Sequence, residues 1–413
     1  MQLLIRPKPK VDESLESYIL RLSIDNCFES YQYFSDALWQ WLMEFDHEAA
    51  GALPRKLSLL NVYHADRTSS LRVRAFQLVQ KLTDNEEFHL LNLAITNSNI
   101  KYAQGLTAVL HQGVAIPRCF LRIDATPICP ECLEESLYVR HNWHIAHYTA
   151  CHHHKCELLH KCPECNESLN YQRTESFTVC ICGFDLRNAP IKPASKTNLV
   201  LSRIIAGDLI ESASPLLSIS DLSIRFGLIL WYLRHQKYKT SEFVEHGFLH
   251  NVVPAISYFD NWPHGLHHEL DVLVNSAELK LVQTFNKTGF STIFGDLILS
   301  CQNIPVREIQ HNFILNTVTD YLVELVRLNP KGKQANIADL LLSVMEVSIL
   351  LNTSHDQVYR LYQEGYLALS FKPKLHNKLS RHQPAFYLRQ VIELREAKMH
   401  SFNTISQHYL PAW

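Results

Sequence analysis

Four pairs of soft metal donors, crowded into one short stretch, constrain the fold of this 413-residue chain more than any other feature. Eight of its 11 cysteines fall between Cys129 and Cys182, and seven of its 23 histidines between His141 and His160. Cys129-Pro-Glu-Cys132 and Cys162-Pro-Glu-Cys165 are knuckles with two intervening residues. Each is followed by a second pair, Cys151-x-x-His154 and Cys180-x-Cys182. Tetrahedral zinc takes four soft ligands at roughly 2.0–2.3 Å, and two pairs separated by a loop supply them. The simplest assignment is one site of three thiolates and an imidazole, from Cys129, Cys132, Cys151 and His154. The second is an all-thiolate site from Cys162, Cys165, Cys180 and Cys182. Three points stay open at this level. Cys180-Ile181-Cys182 is tighter than the usual knuckle, and His152, His153, Cys156 and His160 are alternative ligands close by. The two sites could also exchange pairs. The plainer alternatives are buried thiols without metal for the cluster, and packed or solvated side chains for the spare donors.

Full sets of four ligands point to structural zinc, because a catalytic ion keeps an open position beside an acid or base. There is no His-Glu-x-x-His, and the zinc deaminase signature lacks its proline, since Ile128 precedes Cys129, as well as its His-x-Glu. Twelve glycines leave little material for a phosphate-cradling loop or a nucleophile elbow. The chain reads as no enzyme, with a zinc-dependent hydrolase as a distant third function.

Clustered thiols indicate a reduced compartment. The opening MQLLIRPKPK has no apolar core or cleavage site of a secretory signal, so a cytoplasmic protein is expected. The longest apolar run, Phe226 to Leu233, is far short of the roughly 18 residues of a membrane span. Lys and Arg number 39 against 41 Asp and Glu, a balance that disfavours a chain whose main work is gripping bare nucleic acid. Cys27, Cys119 and Cys301 stand alone and read as buried small apolar residues. Trp143-His144 and Trp262-Pro263 read as core or loop anchors.

The expected fold is mainly α and multidomain. Residues 1–124 form an N-terminal helical domain with a helix-turn-helix region, and 125–190 a tandem zinc-finger region with short β-hairpins. Residues 191–330 form a helical domain, and 331–413 a C-terminal helix-turn-helix domain with a basic segment. Leu15, Tyr18, Ile19 and Leu22 repeat at helical spacing, with Asp12 as N-cap. Phe34, Leu38, Trp41, Leu42 and Phe45 form a second stripe. Helical pattern continues through 70–110, and no hairpin signal stands out beyond the cysteine region. Pro263 should break a helix.

Near the C-terminus, Ser343-x-x-Glu346 and Ser354-x-x-Gln357 are capping-box patterns, each opening an apolar-periodic run. Gly365 sits where a helix C-terminal cap belongs. Helix, turn Asn352-Thr353-Ser354, helix is a helix-turn-helix whose second helix presents some of His355, Gln357, Tyr359 and Arg360 outward. From Gly365 to Ile392 there are five basic residues, Lys372, Lys374, Lys378, Arg381 and Arg389, and no acidic one. Tyr359, Arg360, Lys372, Lys374, Lys378 and Arg381 are the candidate contacts to nucleic acid or a partner.

In combination these residues resemble the TniQ family. Pro9, Asp12, Glu13, Ser14, Leu15, Ser17 and Arg21 are similar to its Pro-x-x-Asp-Glu-Ser-Leu-x-Ser opening and following Arg. Cys129-Pro-Glu-Cys132-Leu133, Trp143-His144 and Cys151-x-x-His154 are similar to its first zinc finger. Phe259-x-x-Trp262-Pro263 and the terminal helix-turn-helix resemble later parts of short members. The resemblance implies target selection in transposition. It implies most closely the short TniQ of type I-F CRISPR-associated transposons: two structural Zn2+ ions per chain, a head-to-tail homodimer, docking on a crRNA-guided Cascade complex, and transfer of the target DNA to the AAA+ ATPase TnsC. A TnsD-like protein that reads an attachment site directly is the alternative it implies.

Overall fold

The computed structural model describes residues 1–83, 88–103, 105–209, 211, 214–237, 252–302, 304–306, 311–372 and 379–404. The chain divides into two units, Met1–Leu230 with Phe243–Ser257 and Trp231–Glu242 with Tyr258–Trp413. Both are mainly helical, as the sequence pattern predicts. Among the described residues no helix is long and apolar enough to cross a membrane.

In the first unit, α1 (Leu15–Asp25) buries Leu15, Tyr18, Ile19 and Leu22, and α2 (Tyr31–Met43) buries Phe34, Leu38, Trp41 and Leu42. Phe45, assigned to the same stripe, lies past the end of α2 and is 60% exposed. The N-cap of α1 is Ser14, whose hydroxyl accepts from the Ser17 amide, not Asp12. Asp12 is two residues too early for the cap, and its carboxylate accepts instead from Tyr138 and Arg140. Two further helices, α3 (His47–Ala52) and α4 (Ser69–Thr83), pack against each other.

The helical pattern expected over 70–110 stops at Thr83. Beyond it, β1 (Ile95–Ala103), β2 (Leu106–His111) and β3 (Val114–Pro117) form an antiparallel sheet in sequence order, correcting the reading that no hairpin lies outside the cysteine region. Its second reversal is made by Gln112 and Gly113, with φ of +48° and +82°, between the paired residues His111 and Val114. Two left-handed residues give a turn whose twist matches the strands. Asn or Asp before the glycine would have announced that turn; Gln takes the left-handed conformation less readily.

The remainder of the first unit contains α5 (Pro130–Glu135), the hairpin β4 (Ala150–Cys151) and β5 (Cys156–Glu157), α6 (Tyr171–Thr174), α7 (Lys196–Ala206), α8 (Pro215–Ser218) and the start of α9 (Leu222–Lys237). Arg225 on α9 is fully buried and donates to the carbonyls of Ile204, Asp208, Leu217 and Ile219, which satisfies its guanidinium with backbone oxygens.

Helix α10 (Val253–Asp260) begins in the first unit, and in the second Pro263 separates its end from α11 (His264–Lys280), as predicted, through a cis Trp262–Pro263 peptide. Trp262 packs with Trp231, Tyr258, Phe259 and Phe313 in one aromatic cluster, so it is a core anchor. There follow α12 (Phe290–Phe294), α13 (Leu297–Cys301), α14 (Phe313–Leu328), β6 (Leu341–Leu342), α15 (Val344–Leu350), α16 (His355–Gln363), β7 (Phe386–Tyr387) and α17 (Leu388–Thr404). The helix-turn-helix is α15 and α16. Ser343 and Glu346 make both halves of a capping box, whereas at Ser354 only one half forms, the hydroxyl oxygen accepting from the Gln357 amide. Gly365, at φ +83°, lies one residue past the cap Glu364, where a left-handed residue closes a helix.

Of the isolated cysteines, Cys301 is buried, Cys119 half-buried and Cys27 exposed. The reading of Cys27 as a core residue is therefore corrected. It follows the C-cap Asn26 in a left-handed conformation, φ +62°, as the chain leaves α1.

Candidate metal centres

Cys129 is the N-cap of α5, and Pro130 at the first helical position starts that helix with its φ already set. Cys132, three residues on, falls on the same side of the turn. The β4–β5 hairpin brings the other pair: Cys151 ends β4, and the chain returns through His154 and Lys155, the latter at φ +57°. The donor atoms of Cys129, Cys132, Cys151 and His154 all lie within 4.8 Å of one another. Sγ of Cys132 is 3.6 Å from Sγ of Cys151, and His154 Nδ1 is 3.5, 3.2 and 3.6 Å from the sulfurs of Cys129, Cys132 and Cys151. A tetrahedral zinc ion needs donor–donor edges of roughly 3.5–3.8 Å, given its usual bond lengths. The set therefore fits zinc.

The orientation of His154 adds to that fit. Its Nε2 lies 3.0 Å from Glu135 Oε1, and a proton donated there leaves Nδ1 as a lone pair facing the three sulfurs. The thiols also oppose one another electrostatically. Hydrogen bonding with Cys129 and Cys151, together with burial, pushes the Cys132 thiol far above the ordinary range, while hydrogen bonds with Cys129, Cys132 and Cys156 pull Cys151 far below it. A divalent cation lifts this competition, because coordinated thiols are deprotonated outright. The Arg140 guanidinium interacts with Cys132 and offsets part of the negative charge such a centre carries.

The second group, Cys162, Cys165, Cys180 and Cys182, also has its sulfurs within 4.8 Å, with edges of 3.6 Å for Cys162–Cys182 and for Cys165–Cys180. Each pair turns on a left-handed residue, Asn166 at φ +59° and Gly183 at φ +90°. Gly183 donates to the Cys180 carbonyl at 2.9 Å, and Cys180 donates to Phe184 at 2.9 Å. That reversal lets one intervening residue suffice where two are usual. Cys162 and Cys180 are buried, Cys165 half-buried and Cys182 exposed. The ligand pairs group in sequence order, without interleaving. Among the spare donors, His152 bonds through Nδ1 to the Tyr148 hydroxyl at 2.8 Å, and His153 and His160 are exposed. Cys156 is buried beside Cys129.

The N-terminal motif is tied to the segment between the first centre's two ligand pairs. Ser14 donates its amide to the Val139 carbonyl at 3.0 Å, and Val139 donates its amide to Ser17 Oγ at 2.9 Å. His141 donates its amide to the Asp12 carbonyl at 2.8 Å, and Tyr138 donates its hydroxyl to the Asp12 carboxylate at 2.8 Å. Ser14 Oγ also lies 3.0 Å from the Tyr171 hydroxyl. Motif residues 12–17 are thus strapped to 138–141. Tyr138, Arg140 and Tyr171 carry no sequence signal of their own, because their partners are more than 100 residues away in the chain.

Residues 4–158 match the TniQ family model. The chain carries a TniQ domain. That domain takes in the N-terminal motif, the β1–β3 sheet and the whole first centre, and the second centre lies beyond it. The match suggests a transposition-associated target-selection role. No curated protein matches the chain.

Outside the TniQ domain stand the candidate partner contacts. Tyr359 is half-buried and donates its hydroxyl to the Leu379 carbonyl at 3.0 Å. Arg360, Lys372 and Arg381 are exposed, and Lys374 and Lys378 lie outside the described residues. Arg389, counted with the basic segment, is buried and donates to Asp339 at 3.1 Å and Asn336 at 3.0 Å, so it is a structural cation.

Proposed function

We propose that this chain is a target-selection adaptor of RNA-guided DNA integration, which docks on a crRNA-guided Cascade complex and links the chosen DNA to the TnsC ATPase and the transposase. The TniQ domain over residues 4–158 is the observation that carries this reading. In it, base pairing within the partner complex reads sequence, and this chain supplies protein surfaces. Cys129, Cys132, Cys151 and His154 hold one zinc ion, and Cys162, Cys165, Cys180 and Cys182 a second. The ions supply rigidity, cross-linking short loops that bury little apolar surface of their own. Residues 1–124, 125–190, 191–330 and 331–413 act as successive modules, and the working form is a head-to-tail homodimer. The balanced charge, 39 basic against 41 acidic residues, supports a partner that is largely protein.

The test is co-expression with a neighbouring Cascade and its crRNA, followed by pull-down, beside a gel shift with the isolated chain. Co-purification with Cascade and weak, sequence-independent DNA binding alone are expected. A salt-sensitive, sequence-specific shift by the isolated chain, lost on charge reversal of Lys372 and Arg381 and without Cascade capture, would instead favour direct reading of an attachment site.

A further inference from the structure

The first centre has more donors than a tetrahedral ion can use. Cys156 is 1% exposed, and its sulfur lies 3.5 Å from that of Cys129, within the range of edges among the four assigned donors. It stands directly across the β4–β5 hairpin from Cys151. Cys129, Glu131 and Cys156 form a metal-type group of their own, sharing Cys129 with the first centre. A cysteine serving only as a small apolar residue has no need to meet a ligand sulfur at coordination-edge distance.

His154 is the opposite case. It is the one non-thiolate donor of the set, its side chain is 17% exposed, and its outer nitrogen is held only by Glu135, itself 62% exposed. The buried side of the centre therefore offers a spare thiol, while the wetter side holds the imidazole. Zinc accepts three thiolates and an imidazole or four thiolates with equal geometric ease.

The geometry points to Cys156 as a reserve ligand: the first centre has five donors, and Cys156 takes the fourth position when His154 leaves it. The swap breaks the metal–imidazole bond and forms a metal–thiolate bond, the Cys156 thiol proton passing to solvent, so the centre becomes more negative by one charge without releasing the metal. Because Cys156 lies outside the four-donor group, its thiol must close on the ion as the imidazole withdraws. This rests on the zinc reading above.

The test counts zinc in the purified full chain by elemental analysis, with cobalt substitution to report ligand type. Wild type and Cys156→Ser are expected to hold two ions each. His154→Ala should also hold two, with thiolate-to-cobalt charge-transfer absorbance raised by one thiolate's share. Combining His154→Ala with Cys156→Ser should leave one ion. His154→Gln, which keeps the side-chain volume and the bond to Glu135, is the second variant. Loss of one ion, or of soluble fold, in both single His154 variants overturns the proposal, and so does a double variant that keeps both ions. Wild-type chain without zinc would instead refute the zinc reading itself, a distinct result.

Discussion

Arg21 grips the fully buried carboxylate of Glu13 with one edge of its guanidinium, Nε to Oε1 at 2.8 Å and Nη2 to Oε2 at 2.7 Å. The Ser17 hydroxyl and the Lys10 amide donate to the same carboxylate at 3.1 and 3.0 Å. Both residues belong to the N-terminal motif, and the pair holds the turn before α1 against the helix it precedes.

Arg21→Ala should therefore destabilise the first unit by about 3–5 kcal/mol, because removing one partner strands a buried charge. Arg21→Lys should recover less than half of that, since an ammonium cannot reproduce the two-pronged contact. Urea unfolding of both variants, in a double-mutant cycle with Glu13→Gln, measures the coupling. Near-additive single effects would contradict it.

The two centres differ in exposure, and a competing chromogenic chelator should reveal it. The second centre, with Cys182 exposed and Cys165 half-buried, should surrender its zinc first, and the first centre, whose thiols are all buried, only as the fold opens. Two kinetic phases of one ion each are expected. Cys165→Ser should remove the fast phase, whereas Cys129→Ser should remove the slow one and lower the melting temperature.

Gly183→Ala tests the tight Cys180-Ile181-Cys182 pair. A Cβ there meets nothing within 4 Å, so the penalty is that of the left-handed backbone at φ +90°, about 1–2 kcal/mol. Zinc affinity at the second centre should fall by roughly ten-fold, with the first centre unchanged. Competition titration with a calibrated chelator checks this.

Glu16 makes a pH prediction. It is 2% exposed, Asn61 donates to one of its oxygens at 3.1 Å, the other has no partner, and burial raises its pKa from 4.5 to about 7. Between those values the folded chain holds a proton that the unfolded chain has lost, so this group's contribution declines as pH rises. Glu16→Gln, a mimic of the protonated acid, should be more stable than wild type by about 2–3 kcal/mol at pH 8, and equal to it below pH 4.5. A constant difference across pH, measured by denaturant midpoints, would count against this account.

Much of the architecture can be read locally. The stripes of α1 and α2, the Ser343–Glu346 box, the Gly365 cap and the eight donors follow from spacing, because each depends on residues a few positions apart. The β1–β3 sheet was hidden because Gln-Gly turns carry a weak signal and strand pairing is non-local. Asp12 looks like a cap in the sequence, because its actual partners, Tyr138 and Arg140, lie more than 120 residues downstream.

The sequence by itself determined the donor inventory, its order in pairs, the helical class and the resemblance to TniQ, since spacing and residue chemistry survive without coordinates. Tertiary structure alone decided which pairs meet, that Glu135 orients His154, that Arg389 is sequestered while Arg381 is exposed, and that the Cys156 sulfur stands 3.5 Å from that of Cys129, the spacing of two ligands on one ion. The reason is the same each time: a side chain's burial and partners depend on segments remote in the chain, and those are brought together only by packing.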